Sequence, residues 1–226
     1  MKKITLLSGF ICLIGTAWSQ PQLSTYDSSF RALYKAVALH PGYMNRNGIV
    51  NDSVVRKWDR NITIYIKGGN GRNRREIREK LKNTIAVISP SLNDKIKISF
   101  AGEQSNANYL IDLDYLGKSG WYEKWDGENN IYSCIIYLNT REIFNYEQEA
   151  GLVSHYFYQS LGDFVFSKKD REGLLKNDRS FVSNVSAWRQ DINDIDLRIL
   201  KVHYSNEIKP GMAERDIDQF FDKHNN

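Results

Sequence analysis

Hydrophobic positions along the chain follow two kinds of spacing, and each kind predicts a different element. In the segment 24–39, apolar residues from Phe30 to Ala38 recur at i, i+3, i+4, i+7 and i+8, which predicts an amphipathic helix. In the segment 61–67, isoleucines alternate with more polar residues, which predicts a half-buried strand. The same patterns predict helices over 74–88, 155–162, 193–204 and 213–223, and strands over 95–100, 109–115 and 131–138.

The order of these elements predicts the fold class. A helix, a strand and a second helix are followed by three strands and then by a group of helices, which is typical of an α+β protein. The composition is that of a globular protein, with 41% hydrophobic and 26% charged residues. We therefore expect a single domain over residues 20–226, with a core of its own.

The first 19 residues have the pattern of a secretory signal peptide. Lys2 and Lys3 precede an apolar run over 4–14, and the small residues Ala17 and Ser19 form a cleavage site. The apolar run is too short to span a bilayer. The sequence therefore predicts export to the periplasm, the cell surface or the medium, and no transmembrane segment in the mature chain.

Charge and cysteine content limit the partners and the covalent chemistry. Removing Lys2 and Lys3 with the signal peptide lowers the formal charge from +4 to +2, which does not indicate nucleic-acid binding. Cleavage would leave Cys134 as the one cysteine, so no intramolecular disulfide is expected. Lipid anchoring through Cys12 is an alternative, although the residues before it match a lipoprotein signal poorly.

The segment HYFYQSLG resembles the zinc-binding helix HExxHxxG with most of its chemistry missing. His155 matches the first zinc ligand and Gly162 matches the glycine that follows the helix. Tyr156 stands where the glutamate general base is expected, and Gln159 stands in place of the second histidine. Val165 occupies the usual place of a third ligand. The pattern therefore predicts no catalytic residue here and no bound cofactor.

Two interpretations of His155 follow from this motif. In the first, His155 is a hydrogen-bonded histidine on the buried face of a helix, one turn from Gln159. In the second, His155 and Gln159 form a nonstandard metal site together with Asp163 or His203, and zinc would be the cofactor.

Three segments carry a resemblance to a known family. They are KWDRNITIYIKG at 57–68, SHYFYQSLGD at 154–163 and IDLRILKVHYSNEIKPGM at 195–212. The chain resembles a bacterial secreted family, domain-of-unknown-function family 2927, whose members are similar to metzincin-type zinc peptidases. The resemblance implies a zincin-like fold, with a mixed, twisted sheet of about four strands packed on helices that include the motif helix. Tyr156 departs from the acidic residue that this family shows there.

The resemblance implies a peptide groove along an edge strand, and the altered motif implies that hydrolysis has been lost. We therefore expect an inactive peptidase-like module that binds a peptide, a protein or a glycan. A predicted loop over 120–132 supplies Trp121, Tyr122 and Trp125 as candidate binding residues. The alternative for this segment is a hairpin whose aromatic side chains fold over the sheet.

An active enzyme is the competing interpretation of function. One form is a metal-dependent hydrolase or peptidase with a nonstandard site around His155. Another uses carboxylates outside the motif, although their spacing does not indicate a shared site; the candidates are Asp112, Asp114, Glu147, Glu149 and Asp163.

Overall fold

The computed structural model describes residues 26–39, 53–92, 96–143, 145–165 and 191–224. This part of the chain contains five α-helices and six strands. The helices are α1 Ser28–Ala38, α2 Gly71–Ile88, α3 Tyr146–Gln159, α4 Asp194–His203 and α5 Glu214–His224. The strands are β1 Lys57–Trp58, β2 Ile62–Lys67, β3 Ile98–Phe100, β4 Tyr109–Asp112, β5 Gly120–Trp125 and β6 Asn130–Tyr137. The α+β prediction is confirmed at this level.

The strands form one mixed sheet that is larger than expected. Its order is β1-β6-β4-β2-β3, and β5 also pairs with β6. All pairings are parallel except that of β5 with β6, which is antiparallel. The prediction of about four strands is therefore wrong, because the sheet has six strands in the described ranges. The two additional strands are β1 and β5, and β5 lies in the segment that we expected to be a loop.

The buried face of the sheet comes from the alternation that the sequence shows. In β2 the side chains of Ile62, Ile64 and Ile66 are buried, while the residues between them are partly exposed. Ile64 lies next to Tyr109 of β4, and Tyr109 lies next to Cys134 of β6. These neighbours continue one buried row across the sheet, which is the surface against which the helices pack.

The helices begin where side chains cap their first turn. Asn70 accepts hydrogen bonds from the backbone N–H groups of Arg72 and Asn73 at the start of α2. Asn145 accepts one from the N–H of Gln148 at the start of α3. The helix α3 thus begins well before the predicted segment 155–162, and the zinc-like motif occupies its last part and the turn that follows.

The predicted signal peptide over 1–19 and Cys12 lie outside the described residues. Across the ranges that are described, no helix combines the length and the apolar character needed to cross a bilayer. Cys134 of β6 is buried, with 1% of its surface exposed.

Candidate functional site

The motif positions lie on the last two turns of α3, against the strand β5. His155 and Tyr156 are half-buried, and Gln159 is buried. The Tyr156 ring lies 5.4 Å from the Trp121 ring of β5, centroid to centroid. Burial raises the pKa of the Tyr156 phenol, so this group keeps its proton at neutral pH. It cannot replace a glutamate as the general base.

His203 is a buried structural histidine. Its Nε2 lies 2.9 Å from the backbone oxygen of Arg56, and its Nδ1 lies 3.1 Å from the hydroxyl of Tyr34. A carbonyl oxygen only accepts, so Nε2 carries the proton and Nδ1 accepts from Tyr34. Burial, with a smaller contribution from Lys57, lowers the pKa of His203 to about 3. Both ring nitrogens are therefore used within the fold, and His203 is not available as a metal ligand beside His155.

The turn after α3 differs from the one that the motif predicts. The backbone N–H of Phe164 donates to the oxygen of Gln159 at 2.8 Å, which closes the end of the helix. The residue with positive φ is Asp163, at 51°, and not Gly162. Gly162 is instead required by space, because a Cβ there would collide with the Phe164 ring and would lie 2.7 Å from Nε2 of His203. Gly162 thus lies within the turn after the helix, while the positive φ of the turn belongs to Asp163.

A cluster of buried charged groups joins this turn to the sheet. Asp163 lies 3.3 Å from Nη1 of Arg56 and shares a hydrogen bond with Glu123 of β5. The side chains of Arg56 and Glu123 are each 4% exposed. Burial, and then the neighbouring Asp163 carboxyl, raise the pKa of Glu123 well above its ordinary value. The guanidinium of Arg56 also lies 4.6 Å from the Trp125 ring.

Glu123 and Arg56 were not among the residues that the sequence predicts as site residues. Asp163 was a candidate carboxylate, but its neighbours come from separate segments of the chain. The available signal was the alternation in GWYEKW, which places Glu123 on the same side as Trp121. A glutamate at such an inward position needs a buried partner, so this alternation could have predicted a polar cluster.

The aromatic candidates do not form one binding surface. The segment predicted as a loop contains β5, which forms a hairpin with β6, so the hairpin of the alternative prediction is confirmed, although not every aromatic side chain folds over the sheet. Trp121 packs on Tyr156, and Trp125 packs on Arg56. Tyr122 is 43% exposed and lies on the opposite face of the strand from Trp121.

The backbone of β5 leaves one side open within the described chain. The N–H groups of Cys134 and Leu138 donate to Asn108 and Asp112, so these residues of β6 point towards β4. Adjacent residues of a strand point their N–H and C=O groups to opposite sides. Ile135, the residue after Cys134, therefore points its backbone groups towards β5, where it pairs with Tyr122. The N–H and C=O groups of Trp121 and Glu123 therefore point away from β6, and no strand of the described ranges pairs with them.

The remaining carboxylate candidates are dispersed. Asp112 forms an ion pair with Lys67 at 2.9 Å, and Asp114 accepts from the N–H of Gly69 at 3.1 Å. Glu149 accepts from Asn73 of α2, and Glu147 is exposed at the start of α3. No shared carboxylate site results. Among the residues that the structure describes, no group of three or more His, Cys, Asp or Glu side chains could hold a metal ion.

Comparisons with known proteins add no family to this description. No protein-family model matches the chain, and no curated protein is significantly similar to it. The resemblance to family 2927 therefore stays a prediction from the three segments.

Proposed function

We propose that this protein is an exported, zincin-like module that binds an extended peptide segment and does not hydrolyse it. The observation that carries the proposal is the open edge of β5 beside the altered motif. Trp121 and Glu123 direct their backbone groups outward from β6, and the side chain of Trp121 packs on Tyr156. An extended chain that paired with this edge would run alongside the last turns of α3.

The zincin-like part of the proposal is supported by the order of the elements around the motif. The edge strand β5, its antiparallel neighbour β6 and the motif helix α3 follow one another in the chain, and β6 is parallel to β4 on its other side. Export is supported by the charged, apolar and small-residue pattern of 1–19. An extended peptide or a segment of a protein is the preferred partner over a glycan, because the three aromatic candidates do not form a common platform.

Loss of hydrolysis is supported by the chemistry at the motif positions. Tyr156 offers a protonated phenol, and Gln159 offers an amide oxygen, which is a poor zinc ligand compared with imidazole. His203 is held by two hydrogen bonds within the core. The competing function, a metal-dependent hydrolase around His155, would need ligands beyond these residues.

Two substitutions at Trp121 test peptide pairing on β5. Trp121→Ala removes the indole, while Trp121→Pro also removes the N–H that points away from β6. Proline is tolerated at such an edge position. Against the best binder from a displayed random peptide library, we expect Trp121→Pro to weaken the affinity by about fivefold to tenfold relative to Trp121→Ala, as lost backbone donors do. Calorimetric titration of the mature protein measures this.

Other results would contradict the proposal. Equal affinity in the two variants, or a library that yields no binder, would exclude pairing along this edge. Stoichiometric zinc in the purified protein that is lost in His155→Ala, together with cleavage of casein, would favour the active hydrolase.

A further inference from the structure

A solvent-open hollow lies at the other edge of the sheet from β5. It is formed where β2 and β3 end and where the first half of α2 passes over them. Its volume is about 540 Å³, within the range of small-molecule sites. The residues that line it are Tyr65, Ile66, Gly68, Arg74, Arg78, Phe100, Ala101 and Gly102.

Two arginines of α2 enter this hollow with defined positions. Arg74 and Arg78 are four residues apart and therefore lie on the same helix face. Nη1 of Arg74 donates to the backbone oxygens of Gly68 and Gly69, at 3.0 Å in both cases. The guanidinium of Arg78 lies 4.8 Å from the centre of the Phe100 ring, a cation–π contact. These contacts orient both guanidinium groups without a carboxylate.

One carboxylate lies near the arginines, since Asp114 accepts from the N–H of Gly69, whose carbonyl oxygen binds Arg74. No lining residue is acidic, and within the described ranges neither arginine has a carboxylate within ion-pair distance. Many other basic groups of the described chain do have such a partner; examples are Arg31, Lys35, Arg56, Lys67 and Lys82. The hollow is thus a cationic site in which two guanidinium groups remain available to an anion.

We propose that this hollow binds a phosphoryl group. Two guanidinium groups carry two positive charges and several N–H donors in planar arrays, which suits a phosphate dianion better than a single carboxylate. The hollow is larger than a phosphate ion, and the rings of Tyr65 and Phe100 are among its lining residues. The phosphoryl group belongs either to a soluble phosphorylated small molecule or to a phospholipid headgroup.

Gly102 allows a direct test with a matched control. A Cβ at Gly102, which lines the hollow, would have no heavy atom within 4 Å, so a side chain at this position meets no clash. Gly102→Asp adds a negative charge to the lining, while Gly102→Ala adds only a methyl group. With inorganic pyrophosphate as the probe in calorimetric titration, we expect Gly102→Asp to raise the Kd by about tenfold or more and Gly102→Ala to leave it unchanged.

A second variant and a salt series complete the test. Arg78→Ala is expected to weaken pyrophosphate binding by about tenfold as well, and higher salt is expected to weaken binding to the wild-type protein. The proposal is overturned if pyrophosphate does not bind at millimolar concentration, or if Gly102→Asp and Gly102→Ala bind it equally well.

The source of the phosphoryl group is decided with vesicles and a sugar phosphate. Co-sedimentation with phosphatidylglycerol vesicles that is lost in Gly102→Asp and competed by pyrophosphate supports a headgroup. Binding of glucose 6-phosphate without vesicle binding supports a soluble ligand. Trp121→Pro is expected to leave pyrophosphate binding unchanged, so failure of the peptide proposal would be distinguishable from failure of this one.

Discussion

At Gly162 the absence of a side chain is required by the neighbours and not by the backbone. The Phe164 ring and the His203 ring occupy the space into which a Cβ would project, and both residues are fully buried. His203 is fixed by two hydrogen bonds, so it has little freedom to move away. A methyl group at residue 162 would therefore meet a rigid surface.

We accordingly predict that Gly162→Ala destabilises the protein. Inserting a methylene-sized group into a packed core costs about 1–3 kcal/mol, which corresponds to about 2–4 °C in melting temperature for each kcal/mol at this chain length. Thermal unfolding measures the loss. Gly102→Ala is the matched control, since its added Cβ has open space. Equal melting temperatures for the two variants would contradict this account of the turn.

The motif places a glycine directly after the helix, but the residue that adopts positive φ is the one that follows this glycine. A glycine after a helix is usually the residue with positive φ, and that rule pointed to Gly162. In this chain Asp163 adopts that conformation, where its carboxyl meets Arg56 and Glu123. These partners are distant in sequence, so local spacing could not reveal why an aspartate takes the strained position.

Among the elements, β2 was predictable and β5 was not, for one physical reason. Every inward position of β2 is an isoleucine, so the alternation is visible in the sequence. In β5 the buried inward position is Glu123, whose cost of burial is offset by Arg56 and Asp163. A polar residue at an inward position interrupts the alternation of apolar and polar residues. The sequence of this strand therefore predicts a polar loop.

The packing of β5 against the end of α3 should depend on pH, because Glu123 of β5 is both buried and ionisable. Its pKa is raised above the ordinary value of 4.5, by burial first and then by Asp163. A raised carboxyl pKa contributes stability that is present below pH 4.5 and is lost as the pH rises through the folded-state pKa. The groups that face Glu123 and act on it or respond to its charge are Arg56, Tyr109, Cys134, Asp163 and Tyr204.

Glu123→Gln is therefore expected to change the pH profile of stability. The neutral amide cannot ionise, so we predict a higher melting temperature than wild type at pH 8, by about 2–4 °C for each kcal/mol gained, and no gain at pH 4. Thermal unfolding across this range checks it. Glu76→Gln, at an exposed position of α2, should leave the profile unchanged. A constant difference between Glu123→Gln and wild type at all pH values would show that ionisation of Glu123 is not involved.

At the scale of the whole molecule, the first and last described helices are joined to each other. Tyr26, Phe30 and Phe221 form an aromatic cluster between α1 and α5. Beside it, Asp218 of α5 accepts from both Arg31 and Lys35 of α1. Hydrophobic periodicity predicted each helix separately, but it carries no information about which helices meet. That information depends on contacts between residues almost the length of the chain apart.

Asp218 is the centre of this contact, and its charge should stabilise the protein. Although burial raises its pKa, hydrogen bonds from Lys35 and Arg31 outweigh that effect and hold the pKa of Asp218 below its ordinary value of 3.8. A lowered carboxyl pKa contributes stability that is present above pH 3.8 and is lost as the pH falls through the folded-state pKa. The two ion pairs are partly exposed, so solvent and salt reduce their strength.

We therefore predict that Asp218→Asn lowers the free energy of unfolding at pH 7 by about 0.5–1 kcal/mol, or about 1–4 °C in melting temperature. The difference from wild type should shrink in 1 M NaCl and as the pH approaches 3, because screening and protonation each remove the same attraction. Asp191→Asn is the control, because the Asp191 side chain is 94% exposed and forms a single ion pair with Lys80. If both variants lose the same stability, the charge of Asp218 does not contribute to joining α1 to α5, and the aromatic cluster and the ion pairs of Arg31 with Asp222 and of Lys35 with Glu214 hold the two helices together.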